Sequence, residues 1–366
     1  MRPSPFSDEF LADRFCERNA MTRQPTDPSQ RPHSSERSRL YSLMGVQILG
    51  LGSSTPDNVI RNEDLAALGY DSDWIVQRTG IRQRRHAPAG MATSDLAVEA
   101  ARRCIDQAQV DPAEIDLVLV GTFTPDLHLP STACLVQDRL GLRAPAMDLH
   151  AACASFVYGL LTGSQFIASG NCRRVLVIGA DCNSRVVNPA DERTFPLFGD
   201  GAGAALLGAG SQEQGIVAMA AGSDGSGVGM LYQPMGGTRM PFSREPGTEG
   251  LQYLHMDGRA VFKWAVRTLI DTTSDVLHAA GLSVDDLSLV VFHQANLRII
   301  LTAAKELGLP GDKLYNNLEF FGNTASASIP LALDEAHRKG RIRPGDYILV
   351  SGFGAGLIWA TAILRW

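Results

Sequence analysis

AQVDPAEIDLVLVGTFTPD at 108–126 and AGLSVDDLSLVVFHQAN at 280–296 follow one plan: a helix end, an acidic turn, then an apolar strand that ends in polar residues. FGDGAGAALLG at 198–208 and SGFGAGLIWATAIL at 351–364 form a second pair in the same order. The common look of buried strands explains one such pair more easily than two. Repetition fixes an architecture before finer features do. The two pairs predict two related halves, 44–215 and 216–366.

Outward from these repeats, short apolar runs alternate with helix-length segments. Strands are expected at 46–51, 117–121, 146–150, 175–179 and 203–207, and helices at 61–68, 94–108 and from about Cys153 to Ser169. The continuous run Leu117–Gly121 suits a strand buried on both faces, and Asp95 favours the start of its helix. Such alternation predicts an α/β fold with helices packed on sheets. Residues 221–250, rich in Gly, Pro and Met, fit either a surface connection or a loop lining a ligand tunnel.

Composition narrows the function. A formal charge of −6 lacks the basic stripe that nucleic-acid binding needs. The six cysteines, at 16, 104, 134, 153, 172 and 182, contain no C-x-x-C pair, which argues against a zinc site and for reduced thiols in the cytoplasm. No apolar run approaches the roughly 20 residues of a membrane span. Residues 1–43 carry seven Arg, six acidic residues and five Pro without apolar periodicity. They match neither a signal nor a transit peptide and read as a disordered extension, with Met44 the start of the fold.

The densest chemical signal is MDLHAACASFVYGL at 147–160, a strand running through small residues into an apolar helix. Cys153 would stand at the helix N-terminus, where free amides and the helix dipole favour thiolate. Taken alone, the motif favours an inert core thiol. His293, in LVVFHQANLRII at 289–300, follows a buried strand and fits a structural or a catalytic imidazole. Asn323, in GNTASASIP at 322–330, fits a helix cap as well as a donor in a site. Gly354 and Gly356 in GFGAG at 352–356 can bring backbone amides close to an oxyanion. Together the motifs supply a thiol, an imidazole, a carboxamide and an amide loop, the parts of thiol-dependent acyl transfer.

These motifs, with DSDWIVQRTGIRQR at 71–84 and FGDGAGA at 198–204, resemble the thiolase-fold condensing enzymes over 44–366, most closely β-ketoacyl-[acyl-carrier-protein] synthase III. The resemblance implies a five-layered αβαβα fold and a homodimer. It implies Cys153 as acylated nucleophile, with His293 and Asn323 driving malonyl decarboxylation and the backbone amides of Cys153 and Ala355 forming an oxyanion hole. Trp74 and Arg78 match coenzyme A contacts, Leu129 and Phe198 the acyl pocket, and Leu129 a position reaching across a dimer. Arg298 and Lys305 match the helix facing an acidic acyl carrier protein. The implied reaction condenses an acyl-CoA primer with malonyl carrier protein and needs no metal or redox cofactor.

Three departures stand out. Glu192 occupies a position where the family commonly has an adenine-stacking Arg, so either Arg193 beside it takes that place or the priming donor is held differently, as on a carrier protein. Ala355 stands where Gly is usual, which the amide tolerates only without positive φ. His150 and Ser155 replace smaller residues around the thiol. Other readings are a priming ketosynthase or acyltransferase of a specialised polyketide or lipid pathway and, of another class, a non-catalytic acyl-binding scaffold.

Overall fold

A computed structural model describes residues 34–69 and 71–366. Expectations for residues 1–33, Cys16 included, lie outside the described residues. The ten strands of the two large sheets are β1 (Arg39–Met44), β2 (Val46–Ser54), β3 (Leu117–Gly121), β4 (Ala146–Leu149), β5 (Arg174–Cys182), β6 (Asp200–Ala209), β7 (Gly215–Ser223), β8 (Leu289–Phe292), β9 (Tyr347–Gly354) and β10 (Ile358–Arg365). The helices used below are α1 (Ser34–Arg37), α2 (Ser72–Thr79), α3 (Thr93–Ala108), α4 (Thr132–Arg139), α5 (Ser155–Ala168), α6 (Gly258–Ala280), α7 (Leu297–Glu306) and α8 (Ser328–Arg338).

One sheet has the order β2-β6-β5-β3-β4 and the other β1-β7-β10-β9-β8. In both, a parallel pair (β3 with β5, β8 with β9) adjoins two antiparallel steps. The pairing plan therefore recurs along the lines of the repeated sequences.

Strand period decides the layering, because successive side chains face opposite sides of a sheet. Leu119 and Val177 from one sheet meet Val291 and Val350 from the other around Phe156 and Leu160 of α5 and Ile329 and Leu333 of α8. The alternate residues Val118 and Val120 pack outward on α3 and α4 through Leu96, Ala100 and Val136. Val290 and Phe292 pack outward on α6 and α7 through Leu269, Ile299 and Ile300. The result is five layers: helices, sheet, a central pair of helices, sheet, helices. Burying both faces explains why β3 and β8 are apolar at every position or nearly so.

The amino end departs from expectation. Residues 34–43, read as tail, form α1 and β1, and β1 pairs antiparallel with β7. Arg37 binds Asp224 at 2.6 Å, and the Trp359 indole N–H donates to Ser38 Oγ at 2.9 Å. The strand therefore joins the sheet built otherwise from residues 215–365. Its hold is a backbone ladder with polar contacts, so it leaves no apolar stripe for a sequence reading to find.

Candidate active site

A cavity of about 1320 Å³ is lined by residues that follow β3, β4 and β8 and by the segment from Val228 to Phe262. The Gly-rich connection 221–250 thus contributes wall residues from Val228 to Gly237. Cys153, His293 and Asn323, 170 residues apart at the extremes, share this cavity with Phe198, Gly354 and Ala355.

Cys153 sits in a 3-10 turn, Ala152–Ala154, directly before α5, so the helix proper starts two residues later than expected. Ser155 holds the turn: its hydroxyl accepts from Ala151 N–H at 2.9 Å and donates to Ala152 O at 2.6 Å. Ala152 has φ 45°, a left-handed conformation that costs an alanine on the order of 1 kcal/mol. Burial pushes the Cys153 thiol up, and the negative charge of Asp181 adds to the effect. The helix terminus was expected to favour thiolate, but desolvation outweighs it and the resting group is a thiol.

His293 is 1% exposed. Its backbone N–H donates to Ser351 O at 2.7 Å, its Nδ1 lies 2.6 Å from Ser328 Oγ, and Phe353 packs edge-on at 5.1 Å between centroids. Burial lowers its pKa to about 3, so the imidazole is neutral. Asn323 is fixed by the strand-like exchange Asn323 N–H to Leu197 O and Gly199 N–H to Asn323 O, at 2.8 and 2.9 Å. Its Oδ1 accepts from Ala325 N–H at 2.9 Å, which settles the amide orientation because a backbone N–H can only donate. Its NH2 is left as a donor in the cavity wall. Gly322 before it has φ 66°, and a Cβ there would lie 2.8 Å from Leu197 O.

Gly354 brings the loop after β9 against the thiol turn: a Cβ would lie 2.9 Å from Cys153 N. Ala355 is not among the non-glycine residues with positive φ, which are Gln109, Ala152 and Ala325 among the described residues. Alanine therefore fits where the sequence departs from glycine.

Trp74, Arg78, Arg193 and Glu192 all line the cavity, and the Arg78 guanidinium stacks on Trp74 at 5.6 Å. Glu192 and Arg193 thus both reach the wall. His150 lines it too, whereas Ser155 is buried in the turn. Leu129 is 87% exposed and does not line its own chain's cavity, contrary to a pocket role within one chain. Its place on a surface loop after β3 turns it outward. Arg298 and Lys305 are exposed on α7, outside the cavity.

Sequence reasoning missed a symmetry around the thiol. AACASF at 151–156 aligns with TASASI at 324–329. Each enters a central helix through a 3-10 turn whose alanine has positive φ, Ala152 at 45° and Ala325 at 50°. Ser326 is thus the counterpart of Cys153, and Ser328 of Ser155. Asp181, fully buried, ties the Ser326 turn to the segment after β3 by accepting from Ser326 and from residues 122–124. Comparing the two hexapeptides would have found Ser328; nothing local in the sequence marks Asp181.

Known proteins are similar to this chain in sequence and fold. A family model described as 3-oxoacyl-[acyl-carrier-protein (ACP)] synthase III matches residues 147–225, and its C-terminal counterpart matches 277–366. A β-ketoacyl-[acyl-carrier-protein] synthase III of Rhodopirellula baltica is 55% identical over 343 residues, covering 89% of this chain and 99% of the relative. The crystal structure of 3-oxoacyl-[acyl-carrier-protein] synthase III from Aquifex aeolicus is 38% identical with a TM-score of 0.81, covering 88% of this chain and all of that one. The corresponding enzyme of Thermus thermophilus is 42% identical with a TM-score of 0.81, covering 87% and 98%.

Proposed function

The chain belongs to the β-ketoacyl-[acyl-carrier-protein] synthase III family, and from that membership we propose how its residues carry out the initiating condensation of fatty acid biosynthesis. It is an acyl-transferring condensing enzyme with acyl-CoA and acyl carrier protein as substrates. Cys153 is the nucleophile. Its sulfur attacks the primer thioester carbonyl, the C–S bond to coenzyme A breaks, and the thiol proton leaves with the released coenzyme A. The amides of Cys153 and Ala355 hold the developing oxyanion, a contribution worth about 10²–10³ in rate per donor.

Malonyl carrier protein then loses carbon dioxide. The resulting enolate attacks the acyl-Cys153 carbonyl and expels the Cys153 thiolate, which takes a proton from solvent. A buried imidazole with pKa about 3 is a poor base and a good neutral donor, so His293 and Asn323 stabilise the enolate by hydrogen bonds. The observation that carries this reading is the shared cavity wall in which thiol, neutral imidazole and carboxamide N–H converge.

The test is a mass adduct on Cys153 after incubation with acyl-CoAs of several lengths and acyl carrier protein donors. His293→Ala and Asn323→Ala should keep that adduct and lose condensation. Absence of an adduct, or equal condensation by both variants, rejects the assignment.

The position of Trp74, Arg78 and Arg193 in the wall supports a coenzyme A site, with Arg193 taking the place that Glu192 cannot fill. Phe198 bounds the acyl pocket. Exposed Arg298 and Lys305 support carrier-protein docking on α7. The apolar, exposed Leu127 and Leu129 support a homodimer in which Leu129 reaches the partner. We read 44–215 and 216–366 as the two halves, supported by the common strand order. Cytoplasmic location is supported by the five free cysteines among the described residues. No helix among them is long and apolar enough to cross a membrane.

A further inference from the structure

The geometry points to Ser328 as a positioning residue that fixes the tautomer of His293, holding the imidazole proton on Nε2, the nitrogen left for the substrate. This rests on the reading of His293 as a neutral donor and deepens it.

Ser328 opens α8 and is 1% exposed. Its hydroxyl has two neighbours: Gln294 N–H, which donates to Oγ at 3.4 Å, and His293 Nδ1 at 2.6 Å. A hydroxyl carries one proton and two acceptor sites. Gln294 N–H can use only an acceptor site, so the arrangement closes when Ser328 O–H donates to Nδ1. The proton of the neutral ring then resides on Nε2. In the other tautomer Nδ1–H and Gln294 N–H would both point at Oγ, and the hydroxyl proton would have no acceptor among the described residues. Orphaning a buried donor disfavours that tautomer by roughly 10-fold or more.

The backbone N–H of His293 donates to Ser351 O, and Phe353 packs edge-on against the ring at 5.1 Å between centroids. Neither contact selects a tautomer; the serine does. The parallel with Asn323 is close: Ala325 N–H takes its Oδ1 and leaves NH2 in the cavity wall. Each side chain has its inner heteroatom tied off, so each offers an N–H where the enolate oxygen forms. An imidazole in the wrong tautomer would present a lone pair to that oxygen and repel it.

The experiment compares Ser328→Ala and Ser328→Thr with the wild type and His293→Ala. It measures the Cys153 adduct, the condensation kcat and KM, and the 15N shifts of His293 in the intact protein. The expected result has four parts. Wild-type Nδ1 is unprotonated and Nε2 protonated. Ser328→Ala keeps the adduct but loses at least about 10-fold in kcat with KM little changed. Ser328→Thr, which retains the hydroxyl, recovers most of the loss. In Ser328→Ala the Nε2–H signature weakens.

A proton on Nδ1 in the wild type overturns the proposal, and this holds even where the alanine variant does not fold. So does Ser328→Ala condensing within about 2-fold of wild type, or Ser328→Thr losing as much as alanine. Normal condensation by His293→Ala is a different outcome, which sinks the reading of His293 itself.

Discussion

Replacing Asp181 by Asn should loosen the turn that carries the candidate site. Oδ1 of Asp181 accepts from Thr122 Oγ1 at 2.9 Å, Phe123 N–H at 3.0 Å, Thr124 N–H at 3.2 Å and Thr124 Oγ1 at 2.8 Å. Oδ2 accepts from Ser326 N–H at 3.0 Å and from the Ser326 hydroxyl. All six partners are donors in these bonds, and burial raises the carboxyl pKa against their pull. Asparagine removes a charge that is costly to bury, which recovers part of any loss. Its NH2, however, must face one set of donors.

The cheaper orientation keeps the oxygen toward Thr122–Thr124 and turns NH2 toward Ser326. The Ser326 hydroxyl can rotate, since it also donates to Gly121 O at 2.9 Å, but the Ser326 N–H cannot. One orphaned buried N–H costs about 1–3 kcal/mol, and that is the expected net loss. Ala325 and Ser326 share the turn that anchors Asn323 Oδ1, so condensation should fall more than acylation, about 100-fold for each ångström of misplacement. Urea unfolding followed by two probes gives the stability, and adduct formation with condensation rate gives the split. Stability within about 0.5 kcal/mol of wild type, together with unchanged condensation, refutes the reasoning.

Gly354→Ala places a Cβ 2.9 Å from Cys153 N, so acylation should slow by at least about 10-fold, read as the burst of released coenzyme A; an unchanged burst would show that the loop yields freely. Burial holds folded His293 near pKa 3, below the unfolded value of about 6.5, so its neutral form contributes fully above about pH 6.5. That contribution is lost as pH falls toward 3, by up to about 1.4 kcal/mol per pH unit, because only the unfolded chain takes up the proton. Urea midpoints against pH should therefore fall faster for wild type than for His293→Gln, and parallel curves would contradict this. Arg37→Met removes the cation from Asp224, whose side chain is 7% exposed, and should cost about 1–3 kcal/mol in urea unfolding. A double-mutant cycle with Asp224→Asn showing no coupling would count against an integral amino-terminal strand.

The strands of the repeated segments were legible because burial on both faces makes them continuous apolar runs. Leu117–Gly121 matches its expected bounds, and Val175–Gly179 lies inside the longer Arg174–Cys182. Strand Arg39–Met44 was not legible, since its first four residues are exposed and a backbone ladder holds it. The local sequence around Cys153 also misled in one respect. It showed a helix terminus that favours thiolate, whereas the thiol's protonation depends on how much protein closes over it.

The sequence by itself determined the residue types of the chemistry, the repeat and the alternation of strands with helices, because strand period and small-residue turns are written locally. Only the tertiary structure decided what each group does with its protons. The proton-bearing atoms of His293 and Asn323 are chosen by Ser328 and Ala325, and the Cys153 thiol is governed by burial and by Asp181. Desolvation and long-range hydrogen bonds are properties of the packed chain, so no window of sequence contains them.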